Sequence, residues 1–186
     1  MLSRTSFVLC ISISLILFSD YSFAGEEEAI VWIADGVSIE GNDNLELYPT
    51  SNDTGNEFEI DVTGLLTNAT RTELKKAGLN VVDHVAGRHT ADVGLRLSLV
   101  HYQSGSVGGR WVGFGEGAAI CIIRAYLFDS ASEQQIADII VAEQVGSGGM
   151  FTVGAEEYVL ENAARKITEE LAALLDIELA SREVSK

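Results

Sequence analysis

The 186-residue chain contains few basic residues, only two cysteines and a single proline. Its 12 Lys and Arg residues are outnumbered by 28 Asp and Glu residues, which gives a formal net charge of -16 at pH 7. A protein that binds DNA or RNA through a basic patch needs the opposite balance of charge. The composition therefore excludes that class of nucleic-acid-binding protein.

The longest apolar run, residues 7–18, is shorter than the roughly 20 residues that a membrane-spanning helix needs. Arg4 precedes the run, and Ser22 and Ala24 place small residues at the two positions that a signal peptidase inspects. The sequence therefore predicts a secretory signal peptide over residues 1–24, cleaved after Ala24. Residues 25–186 are predicted to form a single periplasmic α+β domain.

The cysteine content limits how the exported chain is anchored and stabilised. Cys10 lies inside the signal peptide, and Val8 and Leu9 before it are not the small residues expected before a lipid-modified cysteine. Loss of the signal peptide leaves Cys121 as the single cysteine, so no internal disulfide can form. We therefore expect a protein without a lipid anchor whose stability comes from its hydrophobic core.

Apolar periodicity predicts seven regular elements. A short β-branched run and several runs of period two predict five strands, and apolar residues at helical spacing predict two helices. In chain order these are a strand at 29–34, a helix at 58–77, strands at 79–82, 93–99, 118–128 and 136–145, and a helix after residue 154. This order predicts an α+β two-layer sandwich, with a mixed, mostly antiparallel sheet of about five strands and both helices on one face.

Two further expectations concern the first part of the domain. The β-branched residues of 29–34 are typical of a strand that is buried on both faces. Residues 40–57 are rich in Gly, Asn, Asp, Ser and Thr and contain Pro49, a composition that predicts a long acidic loop. Oxygen ligands in this loop leave calcium binding open as an alternative function, although the spacing of an EF-hand is absent. The candidate ligands are Asn42, Asp43, Asn44, Glu46 and Asp53.

The glycine-rich stretch 105–117 contains six glycines. It leads into a predicted strand rather than a helix, so it does not fit a dinucleotide-binding fingerprint. Glycine permits a flexible or bulged connection. Its two aromatic residues, Trp111 and Phe114, either pack against the end of the core or contact a partner. Trp, Phe and Arg are residue types that carry binding energy in protein interfaces. The predicted partner-binding residues are Arg110, Trp111, Gly113, Phe114, Gly115 and Gly117.

The sequence contains no recognisable pattern of catalytic or metal-binding residues. His84, His89 and His101 lack the spacing of a metal site, and no Gly-x-Ser-x-Gly elbow is present. Cys121 lies in an apolar strand, where cysteine is typically a small core residue. A hydrolase with paired surface carboxylates is the weakest alternative, because nothing in the sequence fixes such a pair. We therefore expect a protein that is not an enzyme and has no cofactor or bound metal.

The chain resembles a bacterial envelope family of unknown function, many of whose members are lipoproteins. The resemblance rests on the glycine-rich loop, on the alternating strand before it and on the strand that ends in Leu127-Phe128-Asp129 before a turn. It extends over about residues 30–175. The matched positions are Arg110, Gly113, Gly115, Gly117 and Asp129.

The element order is also similar to a wider group of envelope modules. This group includes the periplasmic domain of the curli secretion channel, activators of penicillin-binding proteins and the amino-terminal domain of the Tol translocation protein. The resemblance implies envelope protein partners and, in some relatives, ring-shaped homo-oligomers. The chain departs from the pattern because it has no lipobox cysteine and no candidate transmembrane hairpin. We therefore expect an adaptor or assembly factor for envelope proteins, with small-ligand or calcium binding as the alternative.

Overall fold

The computed structural model describes residues 29–34, 44–88, 91–105, 118–145 and 155–175. These residues form one seven-stranded mixed sheet and two helices. The elements are β1 (Ala29–Ile33), β2 (Asn44–Leu47), β3 (Ser51–Asn52), α1 (Val62–Lys76), β4 (Asn80–Asp83), β5 (Val93–Gln103), β6 (Ala119–Asp129), β7 (Gln135–Val145) and α2 (Ala155–Leu174). The predicted α+β two-layer architecture is confirmed, with two more strands in the sheet than expected.

The strands lie in the order β1-β7-β6-β5-β2-β4, and the short β3 also pairs with β5. β1, β7, β6 and β5 are antiparallel neighbours, whereas β2 is parallel to both β5 and β4. The predicted hairpin between β6 and β7 is present, and the Asp129 carboxylate accepts hydrogen bonds from the backbone and hydroxyl of Ser132 in its turn. The long antiparallel strands therefore form one half of the sheet and the short parallel strands form the other.

The prediction of a loop over residues 40–57 is wrong for its central part. β2 lies between β5 and β4, where the side chains of Leu45 and Leu47 are buried in the core. The chain returns to the sheet through α1, so β2, α1 and β4 make a parallel crossover unit. Pro49 has no backbone N–H to donate and separates β2 from β3, both of which pair with β5.

Both helices pack on one face of the sheet. α2 lies against β7, β6 and β1, while α1 lies beside α2 and against β4. The sheet contributes alternate residues of its long strands to the core between the layers, among them Leu95, Leu97, Leu99, Ile123, Leu127 and Ile139. Neither described helix is long and apolar enough to cross a membrane.

α1 begins at Val62 rather than at the predicted residue 58, because Asp61 caps it. The Asp61 carboxylate accepts a hydrogen bond from the backbone N–H of Gly64 at 2.8 Å, which satisfies one of the free donors of the first turn. The helix ends after Lys75 and Lys76, whose positive charges suit the negative end of the helix dipole. Gly78 then takes the left-handed conformation, with φ of 90°, that ends the helix.

The prediction that the first strand is buried on both faces is also wrong. Among the described residues β1 lies at the edge of the sheet, where it pairs with β7, and its side chains are partly exposed. Ile30 is 65% exposed and Trp32 is 51% exposed. β-branched composition therefore identified a strand but not its place in the sheet, since a run of apolar residues fits an edge as well as a centre.

Candidate functional site

The predicted partner-binding residues Arg110, Trp111, Gly113, Phe114, Gly115 and Gly117 lie outside the described residues. The structure does show where the glycine-rich stretch 105–117 joins β5 and β6 of the sheet. β5 ends at Gln103, which pairs with Ile120 of β6. The second glycine-rich stretch, 146–154, begins where β7 ends at Val145, which pairs with Ala119. Both glycine-rich stretches therefore leave the sheet at the same end.

A row of buried polar side chains crosses the core at this end of the sheet. Tyr102 of β5 lies opposite Cys121 of β6, which in turn lies opposite Glu143 of β7. Burial, together with the nearby Glu143 carboxylate, raises the pKa of the Cys121 thiol to about 12. The thiol donates a hydrogen bond to the carbonyl of Val159 in α2. The predicted burial of Cys121 in the core is confirmed, and its protonated thiol is a poor nucleophile near neutral pH.

The face of the sheet opposite the helices is open among the described residues. At its β1 side the register places Ile30 beside Ile140 and Trp32 beside Asp138. We call Ile30, Trp32 and Ile140 the apolar strip, since all three side chains are exposed. Adjacent exposed apolar side chains are the kind of surface that marks a protein interaction site. Sequence reasoning missed the strip because Ile30 and Ile140 are distant in sequence.

The charges beside the apolar strip neutralise each other. Arg124 of β6 donates from Nε to the carboxylate oxygens of Asp138 at 2.9 and 3.0 Å. This hydrogen bonding and the negative charge of Asp138 raise the pKa of Arg124 above its ordinary value. The apolar strip therefore lies in a locally neutral region of a chain whose net charge is -16.

A buried carboxylate with a histidine partner lies at the opposite side of the same face. The side chain of Glu46 in β2 is fully buried, and Nδ1 of His84 donates a hydrogen bond to its Oε1 at 2.7 Å. Tyr48 stacks on the His84 ring with centroids 3.9 Å apart. Arg96 lies over the rings of Tyr48 and Phe128, at 4.8 and 4.3 Å from their centroids. Aromatic rings and a guanidinium thus enclose the pair.

The tertiary structure brings Glu46 and His84 together through the parallel pairing of β2 and β4. Leu47 pairs with Asp83, and the backbone N–H of His84 donates to the carbonyl of Leu47 at 2.9 Å. The two residues of the pair are 38 positions apart in sequence. No motif spacing could have identified this pair, because it depends on a strand that sequence analysis assigned to a loop.

A groove of about 320 Å³ lies beside His84, between the start of α1 and the ends of β2 and β4. Within it, the Arg71 guanidinium donates to Oδ1 of Asp83 at 2.7 and 2.9 Å. The hydroxyls of Thr50 and Thr67 are joined by a hydrogen bond of 2.7 Å. The groove is therefore lined by Leu47, by Pro49 and by polar side chains that already bond to one another, and it has room for a small molecule.

The described calcium candidates are engaged in separate contacts. Asn44 accepts a hydrogen bond from the side chain of Asn80, Glu46 is paired with His84, and Asp53 accepts from the hydroxyl of Ser98. Asn42 and Asp43 lie outside the described residues. Within the described ranges, no group of three or more His, Cys, Asp or Glu side chains is arranged to hold a metal ion.

Comparisons with known proteins establish a shared fold. No protein-family model and no curated protein matches the sequence. The PelC dodecamer from Paraburkholderia phytofirmans matches with 11% identity and a TM-score of 0.58, over 78% of this chain and 97% of that chain. The hypothetical protein CT253 from Chlamydia trachomatis matches with 8% identity and a TM-score of 0.51, over 72% of this chain and 95% of that chain.

A bacterial lipoprotein is also among the similar structures. Lipoprotein GNA1162 from Neisseria meningitidis matches with 14% identity and a TM-score of 0.46, over 70% of this chain and 98% of that chain. At these identities the similarity concerns the fold, not the function.

Proposed function

We propose that this protein is a non-enzymatic, exported envelope protein that acts in the periplasm as an adaptor or assembly factor. The observation that carries the proposal is the asymmetry of its sheet. Two helices cover one face, whereas the opposite face carries the exposed apolar strip of Ile30, Trp32 and Ile140. A Trp beside two Ile residues in a locally neutral region is suited to burial against another protein.

Two further observations support the proposal. The predicted signal peptide would deliver the chain to the periplasm. The similar fold of PelC, which was solved as a dodecamer, supports a protein that works within an assembly. The glycine-rich stretch with Arg110 and Trp111 remains the proposed second contact surface, and it begins and ends on two neighbouring strands of the sheet.

The test is crosslinking of the chain in the periplasm, after expression with its own leader and a carboxyl-terminal tag. We expect Trp32→Lys, and separately Arg110→Ala with Trp111→Ala, to abolish specific crosslinks that the unaltered chain forms. Tyr158→Lys is the matched control, because Tyr158 is an exposed aromatic residue of α2, on the other side of the sheet. If all variants keep every crosslinked partner, the proposed contact surfaces are wrong.

Small-ligand binding is a second candidate function, favoured by the groove beside His84. Its lining combines Leu47 and Pro49 with polar side chains, and its volume has room for a small molecule. Calorimetric titration and a melting scan with Ca²⁺ test the calcium form of this alternative, since a ligand that binds the folded state raises its melting temperature. A flat titration with an unchanged melting temperature would remove calcium as the ligand.

A further inference from the structure

We propose that a second copy of this chain docks on the outer edge of β1, in an antiparallel pair related by a two-fold axis through Val31. The inference rests on the proposed function in one respect, that the protein acts by binding proteins. The inference adds the partner at one contact, a second copy of the chain, and the register in which the two β1 strands pair. The outward backbone groups of β1 determine that register.

The hydrogen-bonding pattern of β1 shows which backbone groups face outward. The N–H of Ala34, just past β1, donates to the carbonyl of Ile136 at 2.9 Å. In an antiparallel pair the residues alternate between facing the partner strand and facing away. Since Ala34 faces β7, the backbone groups of Ala29, Val31 and Ile33 point away from β7, toward the outer edge of the sheet.

Within its own five residues, β1 lacks the features that prevent edge strands from pairing with other chains. Edge strands are usually protected by charged residues, proline or a bulge. β1 has the sequence Ala-Ile-Val-Trp-Ile, with no charged residue and no proline, and its register with β7 is uninterrupted. Ile33, on the helix side of the strand, is 47% exposed as well. An apolar edge of this kind favours addition of another strand.

The sequence of β1 is complementary to itself when two copies run antiparallel about Val31. The two Val31 residues then face each other, and Ala29 of each copy faces Ile33 of the other. All of these residues have outward backbone groups, so they can form the ladder between copies. On the open face, Ile30 of each copy lies opposite Trp32 of the other, an aromatic and β-branched pair that stabilises antiparallel strands.

The charge distribution leaves β1 as an uncharged segment of an acidic chain. A net charge of -16 makes copies repel one another through most of their surface. Helix α2 is acidic and includes Glu157, Glu161, Glu169 and Glu170. β1 carries no ionisable side chain, and the nearby Arg124 and Asp138 neutralise each other. Two copies can therefore bury β1 itself without burying a charge, and the acidic residues Glu26, Glu27, Glu28 and Asp35 that flank it in sequence should make the contact tighter at high salt.

The first experiment measures the native mass of the chain, purified from the periplasm after expression with its own leader, by size-exclusion chromatography with light scattering. We expect a dimer or a larger assembly with an even number of chains. Ile30→Lys and Trp32→Lys should each weaken the contact by about 30-fold or more, the effect of losing a central interface residue. Tyr158→Lys should leave the mass unchanged, and circular dichroism should show that all variants remain folded.

The second experiment tests the register with cysteine pairs. In the proposed pair Ile30 and Trp32 of opposite copies form a close, non-hydrogen-bonded pair with Cα atoms about 4.5 Å apart, within the range of a disulfide. Co-expressed chains carrying Ile30→Cys and Trp32→Cys should therefore crosslink to each other. Ile30→Cys expressed alone should crosslink poorly, because its two copies lie farther apart along the strand.

The outcomes separate this inference from the proposed function. A native mass equal to one chain at every concentration, an assembly unaffected by both lysine variants, or crosslinking of Ile30→Cys alone that equals the mixed pair would each overturn the β1 contact. Periplasmic crosslinking to other proteins is a separate measurement, and its loss in Trp32→Lys would still support the adaptor function if the chain proved monomeric.

Discussion

The two faces of this sheet are built from the same strands but differ in how far their side chains are buried. On β6 and β7, Ile123 and Val141 point toward the helices and are fully buried, whereas their neighbours Arg124 and Ile140 lie on the open face. The covered face stabilises the fold, because burial of aliphatic side chains is the main favourable contribution to folding. The open face contributes less to stability and is available for contacts with other proteins.

The largest contrast should come from truncating equivalent residues on the two faces. Ile123→Ala leaves a cavity between the sheet and α2 and should lower the free energy of unfolding by about 2–5 kcal/mol. Ile140→Ala removes a partly exposed side chain and should cost roughly 0.5 kcal/mol or less. Urea denaturation of both variants measures the difference. Equal losses would mean that the open face is covered in the folded chain.

Gly94→Ala should reveal a place where the open face is packed as tightly as the core. A Cβ at Gly94 would overlap the ring of the buried Phe128, so the variant should lose about 1–3 kcal/mol of stability. Phe128→Leu makes room, so the cost of Gly94→Ala should shrink in that background. If the two effects simply add, the steric explanation fails.

His84→Ala should test the hydrogen bond between His84 and the buried Glu46 on the same face. Loss of the His84 ring removes a hydrogen-bond donor from the buried Glu46 carboxylate. The expected cost is roughly 1–2 kcal/mol, in the lower part of the range for a charged group that loses a partner, because His84 itself is partly exposed. His101→Ala, on an exposed part of β5, is the matched control and should have little effect on urea denaturation.

The smallest effect should appear in the pH dependence of stability, at acidic pH. Hydrogen bonds from the backbone of Gly64 and the hydroxyl of Thr63 lower the pKa of Asp61, and the hydroxyl and backbone of Ser132 lower the pKa of Asp129. Both carboxylates therefore stabilise the fold above their ordinary pKa, and this contribution is lost as the pH falls through their lowered values. Asp61→Asn keeps a good helix cap but cannot titrate.

The melting temperature of Asp61→Asn should therefore depend less on pH below about pH 4 than that of the unaltered chain. Asp138→Asn serves as a comparison at a carboxylate outside a helix cap, and it should leave the capping contribution in place. An unchanged acid profile in Asp61→Asn would show that the cap does not contribute to acid unfolding.

The long antiparallel strands and both helices were predictable, because their patterns are local. Val93, Leu95, Leu97 and Leu99 alternate with polar or small residues, and this period of two predicts one buried face wherever the strand pairs. The end of α1 was similarly visible in Lys75, Lys76 and the following Gly78. These elements carry enough apolar residues in one segment to specify their own type.

The short strands were not predictable, because their stability comes from distant partners. β2 contributes Leu45 and Leu47, a pattern too brief to distinguish from the polar residues around it. It becomes a strand only because β5 and β4 supply ladders on both sides. The Glu46–His84 pair depends on that strand and was therefore missed with it. The predicted residues of the glycine-rich stretch lie outside the described part of the chain and stay a prediction.

The sequence by itself determined the acidic charge and the two-layer α+β architecture, because these follow from composition and local periodicity. Only the tertiary structure decided that, in the part of the chain it describes, β1 lies at the edge of the sheet, the helices cover one face and Glu46 is buried against His84. The physical reason is that burial depends on neighbours. An apolar strand has the same sequence pattern whether another strand covers its edge or not.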